Sequence, residues 1–242
     1  MSFVVPPEDY ARFMGRYAEP LATVFARFAG VGAGDKVLDV GCGTGALTAH
    51  LLSIGADVTA IDPSPPFIEA LAKRLPDVEA RLGTAEELPY SAATFDAAVA
   101  QLVVHFMPDP VAGLRQMARV TRPGGVVAAC VWDGATGALA PFWDAVRVID
   151  PDAQGEAFLS GASEGHLTEI FEGAGLRDSN TSPTPSWAGC QRHNGSDGHA
   201  HPPTVGSLYA NDSSSPRPDC WPAAPTSADH PATTRARRSS SS

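Results

Sequence analysis

The sequence predicts an α/β fold built on a mostly parallel, doubly wound sheet, and three observations carry that prediction. Short β-branched runs alternate with longer stretches of helical period between residues 36 and 132. The first run ends in a glycine loop that opens directly into a helix, and the second ends in an acid. Strand, helix and strand in succession imply right-handed crossovers and therefore parallel strands. In such sheets ligands sit outside the carboxyl ends of the strands, where the strand order reverses.

Taken in order, residues 8–29 form an amphipathic segment that reads as a helix ahead of the sheet. Strands are predicted at 36–40, 57–61, 78–82, 95–103 and 126–132, each rich in Val, Ile, Leu or Ala. Between them, 46–54, 66–75 and 110–120 place apolar residues three and four apart, the spacing of one helix face. A further helix is predicted over 164–173.

Residues 36–45 read KVLDVGCGTG, an apolar strand that runs into Gly41, Gly43 and Gly45 and then into the helix ALTAHLLSIG. Glycines let the backbone turn tightly and approach a ligand with no Cβ in the way. The helix start that follows offers unpaired N–H groups to a polar or anionic group. Gly41, Gly43 and Ala46 also satisfy the GxGxxA form of a dinucleotide fingerprint, and a purely structural turn has the same composition. Asp39 shifts this balance towards a cationic ligand, because a carboxylate in an apolar strand is costly unless something pairs with it. The plainer alternative is an Asp that only accepts from loop N–H groups. Asp62 closes the second strand at the spacing of one strand-helix-strand unit from Gly41, where an acid accepts both hydroxyls of a ribose. Capping the next helix is the competing role.

Charge and cysteine content exclude several function classes. The chain of 242 residues carries a net charge of −10. Almost all of it falls before residue 179, since the five Arg and four Asp beyond that point nearly cancel. An acidic domain is a poor partner for a nucleic-acid backbone. No window approaches the ~18 consecutive apolar residues of a membrane span, and the start lacks the basic-then-apolar pattern of a secretion signal, so a cytoplasmic protein is expected. Cys42, Cys130, Cys190 and Cys220 form no CxxC pair and no Cys/His zinc spacing, so neither a disulfide framework nor a metal site is predicted.

The glycine loop VLDVGCGTG, the Asp closing the second strand, GTAEELPY (83–90), FDAAVAQLVVHF (95–106) and RPGG (122–125), in this order, resemble the class I S-adenosylmethionine-dependent methyltransferases. The similarity is greatest to the small-molecule subgroup that contains the ubiquinone and menaquinone biosynthesis enzymes, and it runs from about residue 10 to about residue 178. It implies a Rossmann-like sheet with S-adenosylmethionine over the ends of the first four strands and a small-molecule methyl acceptor. By position, Asp39, Gly41, Gly43 and Gly45 would hold the methionine part of that cofactor and Asp62 its ribose. The third-strand loop usually carries an acid that meets the adenine amino group. Thr84 stands there instead, so the adenine contact is expected to rest on the Ala85 backbone and on Glu86, and to be weaker. Gln101 occupies a position that often reaches the methionine group. YARFMGRY (10–17) resembles the family's lid helix, in which Arg16 would meet the cofactor carboxylate, although a solvated helix face explains that Arg equally well.

Methyl transfer to a hydroxyl or carbon needs a base tuned near neutral pH. His105, just after the fourth strand, is the candidate, set against an ordinary hydrogen-bonded histidine at a strand terminus. Trp132 and Asp133 close the fifth strand, where they would line an acceptor pocket or, for Trp132, the core. RPGG reads as structure, turning a helix into the fifth strand. A cofactor-binding protein without turnover and a nicotinamide-dependent oxidoreductase are the alternative functions. Asp39 and GTAEELP disfavour the latter, and no Tyr-x-x-x-Lys pair is present to serve it.

Residues 1–178 are thus expected to form the cofactor-binding domain and 179–242 a disordered tail. The last 64 residues hold 13 Ser, 9 Pro and 6 Thr, and of large aliphatic, Phe and Met side chains only Val205 and Leu208. Too little apolar area is available there to offset the entropy of ordering. In the resembled family the segment AGLRD (174–178) leads into the last two strands, an antiparallel hairpin; here no alternating pattern follows it. The sequence therefore predicts a sheet that lacks both strands and an apolar fifth strand exposed as an edge. So abrupt a compositional change is also what out-of-frame translation of GC-rich coding sequence produces. A strand pattern in an alternative frame of the DNA would bear that out.

Overall fold

A 23-residue helix, Pro7–Ala29 (α1), precedes the alternation. It is followed by Lys36–Val40 (β1), Ala46–Ser53 (α2), Asp57–Asp62 (β2), Pro65–Arg74 (α3), Glu79–Leu82 (β3), Phe95–Gln101 (β4), Pro110–Val120 (α4) and Thr121–Trp132 (β5). Ala140–Ile149 (α5), His166–Gly173 (α6) and Ala188–Asn194 (β6) complete it. The computed structural model describes residues 7–134, 137, 140–153, 155, 158–176 and 188–194. These fall within the first of the two units into which the chain divides, Met1–Asn211 and Asp212–Ser242.

Local chemistry explains where the helices begin. Gly45, in the left-handed conformation at φ 84°, turns the chain from the loop into α2. Pro65 and Pro110 stand at the first positions of α3 and α4, where a missing N–H costs nothing. Asp109 caps α4 by accepting from the Ala112 N–H at 2.9 Å.

The sheet runs β3-β2-β1-β4-β5-β6, with the first five strands parallel. Chain order reverses between β1 and β4, so a crevice forms at their carboxyl ends. The two-residue period of the strands assigns each side chain to a layer. Leu38, Val40, Ala98, Ala100 and Val127 pack with Leu114, Met117 and Phe171 of α4 and α6. Val37, Ala97, Val99 and Ala128 pack with Leu21 and Phe25 of α1 and Leu47 and Leu51 of α2. Asp39 and Gln101 fall on this second face by alternation, which directs both towards α1 and α2.

Three features depart from the sequence expectations. β4 stops at Gln101, because Leu102 takes a positive φ of 60° and Val104–Phe106 form a 3-10 turn. β5 begins at Thr121 and includes RPGG, with a register shift opposite Phe95 and Ala97. β6 corrects the prediction that no strand follows residue 178. It pairs antiparallel with β5 from Val126↔Asn194 to Trp132↔Ala188, so β5 is not the edge. Strand pairing is made by main-chain groups, so seven residues without apolar alternation suffice to cover that edge. Residues 177–187 and 195–242 lie outside the described residues, and the expectation of a disordered tail lies there with them.

Candidate functional site

At the crevice, β1 delivers Asp39 and then the glycine loop. Gly41 and Cys42 donate to the Ile61 carbonyl at 2.8 and 3.1 Å, which ties the loop to the end of β2. A glycine is required at position 41: its φ is 71°, and a Cβ there would lie 2.2 Å from Val103 Cγ2. The loop then crosses beneath α1, and a shallow open cleft forms between them. Gly15 and Ala18 of α1, Asp39, the loop, Leu47 of α2, Gln101 and Leu102 line it.

Asp39 is 1% exposed. Thr48, fully buried on α2, donates its hydroxyl to Asp39 Oδ2 at 2.6 Å. Burial dominates its titration, opposed by the Thr48 bond and reinforced by the nearby Asp62, and pushes its pKa up to about 7. Among the described residues no cation pairs with it. Asp62 is buried too, and its two oxygens accept from the Gly43 N–H at 2.9 Å and the Ser64 N–H at 2.8 Å. Burial raises its pKa while those two bonds lower it. Asp62 therefore shapes the glycine loop and the start of α3 with the same group that was expected to bind ribose, and each oxygen keeps a second lone pair.

Gln101 donates from Nε2 to the Ala18 carbonyl at 3.0 Å, while its Oε1 is buried with no partner among the described residues. Gln101 and Asp39 line the same cleft. Leu102, the next residue, has its N–H bonded to the Cys130 carbonyl at 2.8 Å and holds a conformation that non-glycine residues rarely adopt. Such strain persists only where surrounding structure imposes it, and it concentrates at functional sites.

The third-strand residues stand apart from the cleft. Ala85 is buried in the 3-10 turn Ala85–Glu87, Thr84 before it is exposed, and Glu86 accepts from the Asp109 N–H at 3.3 Å. Arg16 is exposed on α1 and donates to the Arg12 carbonyl at 3.4 Å, on the solvated face, while Gly15 and Ala18 supply the cleft wall. His105 is buried against Phe106, its Nδ1 lacks a partner among the described residues, and burial pushes its pKa down to about 4. The imidazole is neutral at pH 7, and a base that weak draws little on an acceptor proton there. Trp132 meets Tyr17 of α1 edge to face at 5.7 Å between centroids, which fixes the helix over the end of β5.

Thr48, Gly15 and Ala18 were not singled out by motif. Their signal is weak: Leu47, Thr48 and Leu51 are the buried face of α2, and Gly15 and Ala18 are three apart on α1. Among the described residues, no group of three or more His, Cys, Asp or Glu could hold a metal ion. None of the described helices is long and apolar enough to cross a membrane.

Residues 38–129, which run from β1 into β5 and contain the glycine loop, match a family described as a methyltransferase domain. Over that stretch the chain is similar to methyltransferases. Demethylmenaquinone methyltransferase of Mycobacterium sp. (strain JLS) is 43% identical over 101 residues, covering 42% of this chain and 43% of that protein. Malonyl-[acyl-carrier protein] O-methyltransferase of Serratia marcescens is 33% identical over 156 residues, covering 62% of this chain and 60% of that protein. The chain thus spans less than two thirds of the length of either relative. In three dimensions it resembles a SAM-dependent methyltransferase from Aquifex aeolicus, with a TM-score of 0.61, 18% identity, and coverage of 78% of this chain and 98% of that one. The two chains therefore share a fold.

Proposed function

We propose that this chain binds S-adenosylmethionine in the cleft at the ends of β1 and β4 and transfers its methyl group to a small-molecule acceptor. The observation that carries the reading is the pair formed by Asp39, a buried carboxylate without a cation, and Gln101 Oε1, a buried acceptor without a donor, on one cleft beside the glycine loop. Both requirements are met by a ligand with an ammonium group. Asp39 and Gln101 would hold the methionine ammonium, the loop from Gly41 to Gly45 would follow the methionine backbone, and Asp62 would accept from the ribose hydroxyls. The Ala85 N–H and Glu86 would meet the adenine, next to Thr84.

The cofactor supplies a methyl group on a positively charged sulfur, so the leaving group arrives activated. What this chain contributes is alignment and exclusion of water, which together lower a barrier by up to ~7–11 kcal/mol in the best-oriented reactions. His105, neutral and buried next to the cleft strand, accepts a hydrogen bond from an acceptor hydroxyl more readily than it removes the proton. The relatives named for demethylmenaquinone and malonyl-acyl-carrier protein support a small acceptor, and the acidic charge supports a cytoplasmic protein with no nucleic-acid or membrane partner.

Calorimetric titration with S-adenosylmethionine, S-adenosylhomocysteine and NAD tests the reading. Saturable binding of the first two is expected. Tight binding of NAD with no response to the others would overturn it in favour of a dehydrogenase.

A further inference from the structure

We propose that Thr48 is a positioning residue for the cofactor: its hydroxyl holds Asp39 through Oδ2 in the orientation that presents Oδ1 to the ligand's ammonium group. The proposal rests on the cofactor reading above and adds a residue to it.

Three observations carry the argument. Thr48 is the third residue of α2 and fully buried, on the helix face that packs against β1. A threonine near a helix start ordinarily caps backbone N–H groups or points to water; this one reaches across the layer to the strand. Its bond to Asp39 is 2.6 Å, within the range of hydroxyl-to-carboxylate bonds with a charged acceptor. Finally, Thr is branched at Cβ and stiff at χ1, so the hydroxyl is a fixed donor rather than an adaptable one. Volume alone would be filled as well by Val, which has the same shape. The hydroxyl proton is what Val lacks.

Asp39 is faced by few charges. Asp62 at the end of β2 and Cys42 in the loop are the titratable groups beside it, and burial raises the pKa of both, which keeps the thiol neutral. β4 offers the uncharged Gln101, and α1 offers Gly15 and Ala18. On α2 itself, His50 lies about 200° around the helix from Thr48. Among the described residues, the Thr48 bond is the main interaction that favours the ionised form of Asp39 in the free protein. Losing it moves the Asp39 titration upward. The carboxyl then stays protonated, and blind to an ammonium group, over a wider pH range.

The test compares the intact chain with Thr48→Val and Thr48→Ser. Affinities for S-adenosylhomocysteine, which carries the ammonium but no reactive methyl, are measured from pH 6 to pH 8.5. In the unsubstituted chain affinity should rise with pH through about 7, the Asp39 value. In Thr48→Val it should be about tenfold weaker at pH 7, with the midpoint shifted upward by about one unit, and Thr48→Ser should restore both. Thermal unfolding of the free proteins across the same pH range is a second readout. The fall in stability that levels off near pH 7 should continue to higher pH in Thr48→Val, and Thr48→Ala replaces it if Val prevents folding. A uniform loss of affinity with an unmoved pH midpoint, or no loss at all, would overturn the proposal and leave the cofactor reading standing. Absence of binding to the unsubstituted chain would instead overturn both.

Discussion

Around the glycine loop, the two buried acids are tied to nearby donors: Asp39 to the Thr48 hydroxyl, and Asp62 to the N–H groups of Gly43 and Ser64. Along α5 the situation is opposite. None of its residues is buried, and Phe142, Val148 and Ile149 stand 56%, 84% and 88% exposed on an amphipathic helix. The first region spends stability to hold charge in a dry place, and its geometry is over-determined by short bonds. The second spends nothing and is held by little. A site for one invariant ligand can be built the first way.

Substitutions break this contrast in a graded way. Gly41→Ala should have the largest effect: it places an L side chain at φ 71° and drives a Cβ into Val103. We expect a loss of about 3 kcal/mol or more, read as a fall of about 6–12 °C in Tm, together with loss of measurable cofactor binding. An unchanged Tm would mean that Val103 swings aside at little cost. Asp39→Asn should divide stability from function. The folded-state pKa of Asp39 is raised, so between the ordinary carboxyl value of 3.8 and about 7 the native state holds a proton that the unfolded chain has lost. Its destabilising effect is therefore fully present above pH 7 and relieved as pH falls. The Asn variant should gain on the order of 2–4 kcal/mol at pH 8 while cofactor affinity drops about a hundredfold. Thermal melts at pH 5 and pH 8 check the first, calorimetry the second; a variant less stable at pH 8 would contradict the burial argument. The smallest effect belongs to α5, where Val148→Ser with Ile149→Ser should change stability by no more than about 0.5 kcal/mol. A larger loss in unfolding experiments would show that α5 is buried against something and would erase the contrast.

What could be read in advance follows the same division. KVLDVGCGTG declared a strand, a loop and a helix start within ten residues, and β1 and α4 occupy the predicted positions because their signals are local: glycines, an apolar run, an Asp-Pro start. Asp39 was legible because a lone acid in an apolar strand demands an explanation. Thr48 was not, since a threonine in the first turn of a helix is ordinary until strand alternation puts Asp39 opposite it. Arg16 and Gly15 show the limit of motif transfer on a helix: adjacent residues point about 100° apart, and the cleft took the glycine. β6 escaped notice because edge pairing draws on main-chain groups, which AGCQRHN shares with any other seven residues except where proline intervenes.

The burial of Asp39 has a consequence beyond affinity. With its pKa pushed up to about 7, this carboxyl holds a share of a proton in the free protein near neutral pH, and a bound ammonium group selects the ionised form. Cofactor uptake would then be an exchange of cations, with part of a proton expelled to the buffer for each ligand that enters. Heats of binding recorded in buffers of different ionisation enthalpy would differ by that fraction, so the buried acid would be counted in protons from outside the protein.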